Sequence, residues 1–378
     1  MNLTNFYLLM KNNLIRIKVD SRQYYANFLK NWRHTNSTKV LFISENSRIA
    51  KSQIFPFYYY AKDFYKRWNI EFREININLF EENPNNFVGG ADVVFFQPWF
   101  QKGEKKMVHL LNSIHNFNPS AKVIFLDSFA PLDLRFAKAV NPLVDFYIKK
   151  QFFGNYSVYG QATYGDTNLV EYYNHLYGVP KSPLVQYEIP AGFLDKLVIG
   201  PSFFTSREML PILASSNKLV QYKKTINVHA RLGKEGTVWY QKMREHALLV
   251  SSNFSHNSII TSASVSKSQY MKELKSSRVC FSPFGYGEVC WRDYEAIMCG
   301  ALLIKPDMAH VKTEPNIFIP FETYIPVAWD FSDLEEKVTY YLENTTAREK
   351  IIQSAYDVLQ SYIRDKVFIN QVAILFDN

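Results

Sequence analysis

SPFGYGEVCWRDYEAIMCGALLIKP, Ser282 to Pro306, is the stretch that decides the fold. It begins at the end of the apolar run RVCFSP (Arg278 to Pro283) and passes through a loop that holds Gly285 and Gly287. A helical pattern follows over CWRDYEAIMCG (Cys290 to Gly300), then the apolar run ALLIKP (Ala301 to Pro306). Strand, small-residue loop, helix and strand in that order make a βαβ unit with parallel strands. Glycines let backbone approach a ligand, and the free N–H groups that open the next helix favour an anion. Ser282, Gly285, Tyr286 and Gly287 are therefore candidate phosphate-side residues. The spacing is neither G-x-G-x-x-G nor a P-loop, so the ordinary dinucleotide and ATP motifs are absent. Within the helix Glu288, Arg292 and Glu295 stand at i, i+4 and i+7, so all three share one face. That spacing fits an ion-pair ladder on a solvated face as well as a charged group aimed into a cleft. The neighbouring Ala296, Ile297, Gly300 and ALLI favour the cleft, because they imply a helix packed on a sheet.

The same alternation extends in both directions. Before the central stretch come TINVHARLG (Thr225 to Gly233), a helix over Trp239 to Ser251, SIIT (Ser258 to Thr261) and a helix over Ser266 to Ser277. After it come IFIPF, YIPVAW and a helix over SDLEEKVTYYLEN. Further upstream, KVLFISE (Lys39 to Glu45), IEFREININ (Ile70 to Asn78), ADVVFFQPW (Ala91 to Trp99) and AKVIFLD (Ala121 to Asp127) alternate with helices over Phe57 to Trp68 and Glu104 to Phe117. Residues from about Pro142 to Gln221 are less regular, with one strand, an aromatic loop and a proline-rich connection. The expected fold is α/β, two doubly wound Rossmann-like domains facing a central cleft. Residues 1–205 are expected to form the first domain, 206–360 the second, and 361–378 a terminal helix packing back on the first. The join falls between Gly192 and Lys224. In such sheets ligands bind outside the carboxyl ends of the strands.

A chain of 378 residues, 47% hydrophobic and 21% charged, has enough apolar material for two cores. Its net charge of +8 favours an anionic partner. The basic residues are scattered, without a zinc finger, RNP-like strand or basic helix, so no nucleic acid is expected. Cys280, Cys290 and Cys299 have the spacing of neither a zinc ribbon nor a redox pair and read as buried thiols. With no His-Glu-x-x-His, clustered histidines or Asp-x-Asp, no metal or other cofactor is expected. MNLTNFYLLMKNNLIRIKVD lacks a basic leader, a long apolar segment and a cleavage site, and no window reaches about 18 apolar residues. The expected location is the cytoplasm, with peripheral contact at the inner face of a membrane.

From about Thr225 to Asn344 the sequence resembles the carboxyl-terminal domain of GT-B glycosyltransferases, especially the exostosin-like and group 1 families. The resemblance rests on Arg292, Glu295, Ala296 and Gly300, followed by the apolar run Ala301 to Ile304, with YMKELKSSRVCFSP before them. It implies that Glu295 binds the ribose hydroxyls of a nucleotide-sugar and that Glu288 stands near the donor sugar. The group 1 pair is separated by seven residues, whereas six separate these two. In NVHARLGKEG, Arg231 and Lys234 follow a strand end, resemble the family's basic pair, and are suited to neutralise a diphosphate leaving group in place of a metal. His229 in the same run reads as a structural histidine. Asp127 and Glu45 end strands of the first domain and are candidate bases for the acceptor proton, although a strand-end carboxylate also serves as a cap.

The expected activity is metal-independent transfer of a hexosyl or pentosyl group from a nucleotide-sugar to a hydroxyl of a glycan or glycolipid. The alternatives are a transferase for a CDP-polyol or other phosphate-linked donor, and a non-catalytic glycan- or nucleic-acid-binding protein.

Overall fold

The computed structural model describes residue 32 and residues 36–82, 89–180, 182–254, 259–261 and 264–377. The opening twenty residues and Ser258 of the expected strand SIIT lie outside them. Within the described residues, β1 (Thr38–Ser44), β2 (Ile70–Asn76), β3 (Val93–Gln97), β4 (Lys122–Asp127), β5 (Phe146–Lys149) and β6 (Leu197–Ile199) form one sheet in the order β2-β1-β3-β4-β5-β6. Strands β7 (Ile226–His229), β8 (Ile259–Ile260), β9 (Ser277–Phe281), β10 (Leu302–Pro306) and β11 (Ile325–Val327) form the second, in the order β8-β7-β9-β10-β11. Every pairing in both sheets is parallel.

The apolar runs follow from this arrangement. Val40 and Phe42 of β1 enter one core and Leu41 and Ile43 the other, as do Val93 and Phe95 against Val94 and Phe96 of β3. A strand covered on both faces needs apolar residues at successive positions, which is why these segments read as runs and not as alternations. In each sheet the connection direction reverses beside the first strand, between β1 and β3 and between β7 and β9. Those reversals open crevices at the carboxyl ends of the strands.

Helix α1 (Arg48–Tyr59) starts nine residues before the expected Phe57, because the Ser47 hydroxyl accepts the Ala50 N–H at 3.1 Å and caps it. Pro56 lies inside it, and α2 (Ala61–Trp68) follows a break at Tyr60. Helix α3 (Glu104–Phe117) has the expected bounds. The irregular stretch contains a helix that the sequence reading missed, α4 (Asn168–Leu176), capped by Thr167. Its Tyr173 is fully buried against Trp239 of α5 (Val238–Ser252), which joins this connection to the second sheet's layer. Helices α6 (Lys267–Lys275) and α7 (Trp291–Met298) flank β9, and α8 (Leu334–Glu343) leads into α9 (Thr345–Arg364).

Helix α9 runs through residue 360 without a break, so residues 361–364 are its last turn and not the start of a separate element. The short α10 (Val367–Gln371) then brings Phe368 edge-on to Phe57 at 4.9 Å and close to Tyr60 and Phe64. Arg67 donates to Asn370, the Trp68 indole to Asp377, and Lys366 to Asp63. The chain end thus packs on α1 and α2 of the first sheet.

The end of β7 is His229, fully buried, with Glu273 at 3.6 Å and the Tyr270 ring edge-on at 5.1 Å. Burial, reinforced by nearby Arg292, pushes its imidazole down to about 4 from the ordinary 6.5.

Two outcomes are expected. Phe368→Ala lowers stability to urea by about 3–5 kcal/mol and opens the end of the chain to trypsin. The unfolded state takes up a proton at His229 that the folded state refuses, so stability is complete above pH 6.5 and falls as pH drops toward 4. The slope is roughly 1.4 kcal/mol per pH unit, and His229→Gln flattens it between pH 6.5 and 4.5 in urea titrations.

Candidate functional site

The residues that leave the carboxyl ends of β7 and β9 meet around a cavity of about 450 Å³. Arg231 and Gly233 enter from the loop after β7, Lys267 and Tyr270 from α6, and Arg244 from α5. Arg292 and Glu295 enter from α7, and Arg48 from α1 of the first sheet. Among the described residues, five cations thus line it with a single carboxylate, Glu295. This charge excess suits a polyanion.

Arg292 and Glu295 project together because α7 is firmly anchored. Asp293 accepts the Cys290 N–H at 2.8 Å, which caps the helix, and the Ser282 hydroxyl at 2.6 Å; Lys305 of β10 lies 3.2 Å away. Asp293, Ser282 and Lys305 are all fully buried. Arg292 donates to the Arg231 carbonyl, and Arg231 holds Glu273 with two hydrogen bonds, 2.5 and 2.9 Å. Arg244 donates to the Phe284 carbonyl and lies 4.8 Å from the Tyr240 ring centre. The Nε atoms of Arg244 and Arg292 are buried and have no hydrogen-bond partner among the described residues. A buried unpaired donor on a guanidinium is costly, and an anion in the cavity would satisfy it. Glu295 is paired with Lys267, and Arg48 lies 3.9 Å from it.

Other expected residues are placed elsewhere. The helix begins at Trp291, with Cys290 extended before it, so Glu288 does not share a helical face with Arg292 and Glu295. Glu288 is fully buried between the two sheets' layers, where it accepts from Gln151 at 3.2 Å and lies 3.7 Å from His310. The Ser282–Gly287 loop does not line the cavity either. Its capping position is filled by the protein's own carboxylate, Asp293, and Ser282 is spent on that contact. The Gly285 N–H is donated to the Gly287 carbonyl at 3.0 Å, and Tyr286 stacks on Tyr240 at 4.6 Å. Gly287 does require a missing side chain, since a Cβ there would stand 2.1 Å from the Ala130 carbonyl oxygen. The close approach is to the first domain's backbone, not to a ligand.

Lys234 is exposed on the loop after β7 and is not among the cavity residues. Asp127 is almost wholly buried and fully engaged, accepting from Tyr147 at 2.7 Å, Lys149 at 2.6 Å and the Phe129 N–H at 2.7 Å. Glu45 lies 3.6 Å from Lys102, away from the cavity. Burial raises the Cys280 and Cys299 thiols to about 12, as inert core thiols.

Sequence reasoning missed Arg48, Arg244, Lys267 and Tyr270. Arg48 had a legible signal, as the first residue after a cap at the end of β1. Arg244 had another, as a cation on the Tyr240, Ala247 and Ser251 face of α5, where an apolar residue was due. Among the described residues no three His, Cys, Asp or Glu side chains gather to hold a metal ion, and no helix is long and apolar enough to cross a membrane.

No curated protein matches the sequence. Residues 227–365 match the family model described as glycosyl transferase-like. Among solved structures, an alpha-glucosyltransferase in complex with UDP and a 13-mer DNA containing a HMU base is similar at a TM-score of 0.53 and 11% identity, over 90% of this chain and 100% of that one. A second structure of the same description has a TM-score of 0.51 and 12% identity, over 90% and 99%. The cavity rimmed by Arg231, Arg244, Arg292 and Glu295 thus lies in a segment that is glycosyl transferase-like, within a chain that has the two-sheet GT-B fold.

Proposed function

We propose that the protein transfers a sugar from a nucleotide-sugar to a hydroxyl group of a glycan or glycolipid acceptor. The observation that carries this is the buried Nε atoms of Arg244 and of half-buried Arg292, without hydrogen-bond partners among the described residues, in a cavity that also holds Glu295. Arg231, Arg244 and Arg292 hold the diphosphate, and one carboxylate oxygen of Glu295 accepts from the ribose hydroxyls. The bond from the anomeric carbon to phosphate oxygen breaks as the acceptor oxygen bonds to that carbon. The acceptor's proton passes to a base, and the nucleoside diphosphate leaves with its charge met by the guanidiniums. Fixed guanidiniums do here what a divalent ion would do elsewhere, so the reaction proceeds without metal.

Lys234, exposed and next in sequence to the cavity residue Gly233, is the further cation proposed to meet the leaving diphosphate. Ser282, Gly285, Tyr286 and Gly287 support the site from behind, by holding α7 and the contact with the first domain. Of the candidate bases, Asp127 has both oxygens occupied and Glu45 is engaged by Lys102, while Glu288 keeps one buried oxygen, Oε1, without a hydrogen bond. Glu288 is therefore the carboxylate assigned to the sugar side. The net charge of +8 favours a second reading, in which the acceptor hydroxyl belongs to an anionic polymer such as DNA.

The test is a thermal-shift screen with UDP, GDP, CDP and ADP, followed by release of nucleoside diphosphate from the matching nucleotide-sugars. Acceptors would be neutral oligosaccharides, glycolipid micelles and DNA carrying hydroxymethylated bases. One nucleotide is expected to stabilise the fold by about 2.7 kcal/mol at a hundred times its Kd. Arg244→Met and Arg292→Met weaken it by about tenfold or more. Glu295→Ala abolishes turnover, and EDTA leaves turnover unchanged. Absence of a shift with every nucleotide would sink the proposal.

A further inference from the structure

Among the described residues, Arg48 is the one side chain of the first sheet's domain that lines the cationic cavity. It opens α1 immediately after the carboxyl end of β1, beside that domain's strand-order reversal, so it crosses from one crevice to the other. Its guanidinium lies 3.8 Å from the centre of the Trp291 ring. That ring is stacked at 4.7 Å on Phe203, from the segment that joins the two sheets. Two carboxylates flank it at longer range, Glu208 at 3.4 Å and Glu295 at 3.9 Å. The side chain is still 45% exposed.

This is a poised rather than a locked cation. Half-exposed ion pairs at such distances hold weakly against solvent and salt. The Trp291 face fixes the height of the guanidinium over the start of α7 without consuming its N–H donors, because a ring face accepts the charge and not a hydrogen bond. Beyond those two long contacts its N–H groups remain available to a planar or tetrahedral oxyanion in the cavity that Arg292 and Glu295 also line.

We infer that Arg48 reaches across the cleft to the diphosphate of the donor, exchanging its loose contact with Glu295 for the phosphate oxygens and so drawing the first domain onto the loaded second domain. The inference rests on the nucleotide-sugar reading above and adds a donor contact from the opposite domain. The phosphates would then be held from both sides, by Arg231, Arg244 and Arg292 from one and by Arg48 from the other. Closure would follow only when a diphosphate is present, so water is excluded at the moment the sugar is exposed to attack. The exchange also leaves the Glu295 carboxylate to Lys267 and the ribose hydroxyls.

The experiment compares Arg48→Ala, Arg48→Lys and the native protein by titration calorimetry with UDP, GDP, CDP and ADP and with the corresponding monophosphates. Trp291 beside Arg48 gives a parallel fluorescence signal. For the nucleotide that the native protein binds, Arg48→Ala is expected to weaken the diphosphate about tenfold and the monophosphate less than about twofold, with partial recovery in Arg48→Lys. With the nucleotide-sugar, KM rises by a similar factor and kcat also falls, because closure is lost. If Arg48→Ala binds the diphosphate as the native protein does, or loses diphosphate and monophosphate equally, the inference is overturned while the donor reading stands. If the native protein binds none of the nucleotides, both fall.

Discussion

The buried contact of Asp293 with Lys305 and Ser282 is the constraint on which the site depends. Three polar side chains with no exposure tie the first turn of α7 to β9 and β10 at once. An ion pair removed from water returns little net stability, but breaking one half leaves an uncompensated charge in the core, at a cost of about 3–5 kcal/mol. The penalty makes the arrangement all-or-none. Arg292 and Glu295, the neighbours of Asp293 on the same helix, inherit its fixed position. A flexible mount would let a guanidinium and a carboxylate so close together collapse onto each other. Here Arg292 is instead turned to the Arg231 carbonyl and Glu295 to Lys267.

The same contact ties the glycine loop to the start of α7. Asp293 accepts the N–H of Cys290, the residue before α7, and the Gly285 N–H is donated to the Gly287 carbonyl. Gly287 lies against Ala130, the Gln151 amide donates to both the Ala130 carbonyl and Glu288, and the Val289 N–H donates to the Gln151 oxygen. These contacts fasten the two sheet systems together directly behind the cationic cavity. Cationic side chains of α5, α7 and the loop after β7 line that cavity.

The sheets were legible because burial on both faces makes the strands continuous apolar runs, and α3, α6 and α7 were legible from their spacing. Arg231 could be placed because it follows a strand end, and Arg292 and Glu295 because their helix carries a family-like pattern. The errors have physical causes. Counting at helical spacing joined Glu288 to Arg292 and Glu295, yet Cys290 is extended, and one non-helical residue destroys the shared face. Helix α4 was hidden among aromatic residues whose partner, Trp239, comes some sixty residues later. Arg48, Arg244 and Lys267 converge only in three dimensions, from helices that follow three different strands.

Two crevices, one at each strand-order reversal, let an anion be approached from two walls. A single sheet offers phosphate oxygens one wall of donors, and the remaining charge must be met by water or by an ion. Opposed sheets offer two walls. In this chain the second domain's wall is crowded with guanidiniums whose mutual repulsion is relieved by Glu273, Glu295 and backbone carbonyls. Such a cluster is tolerable empty because each cation keeps at least one acceptor, and it is incomplete because Arg244 and Arg292 each retain a buried donor without one. The stability given up there would be recovered by an anion bound in the cavity, because it would give those two donors their missing acceptors.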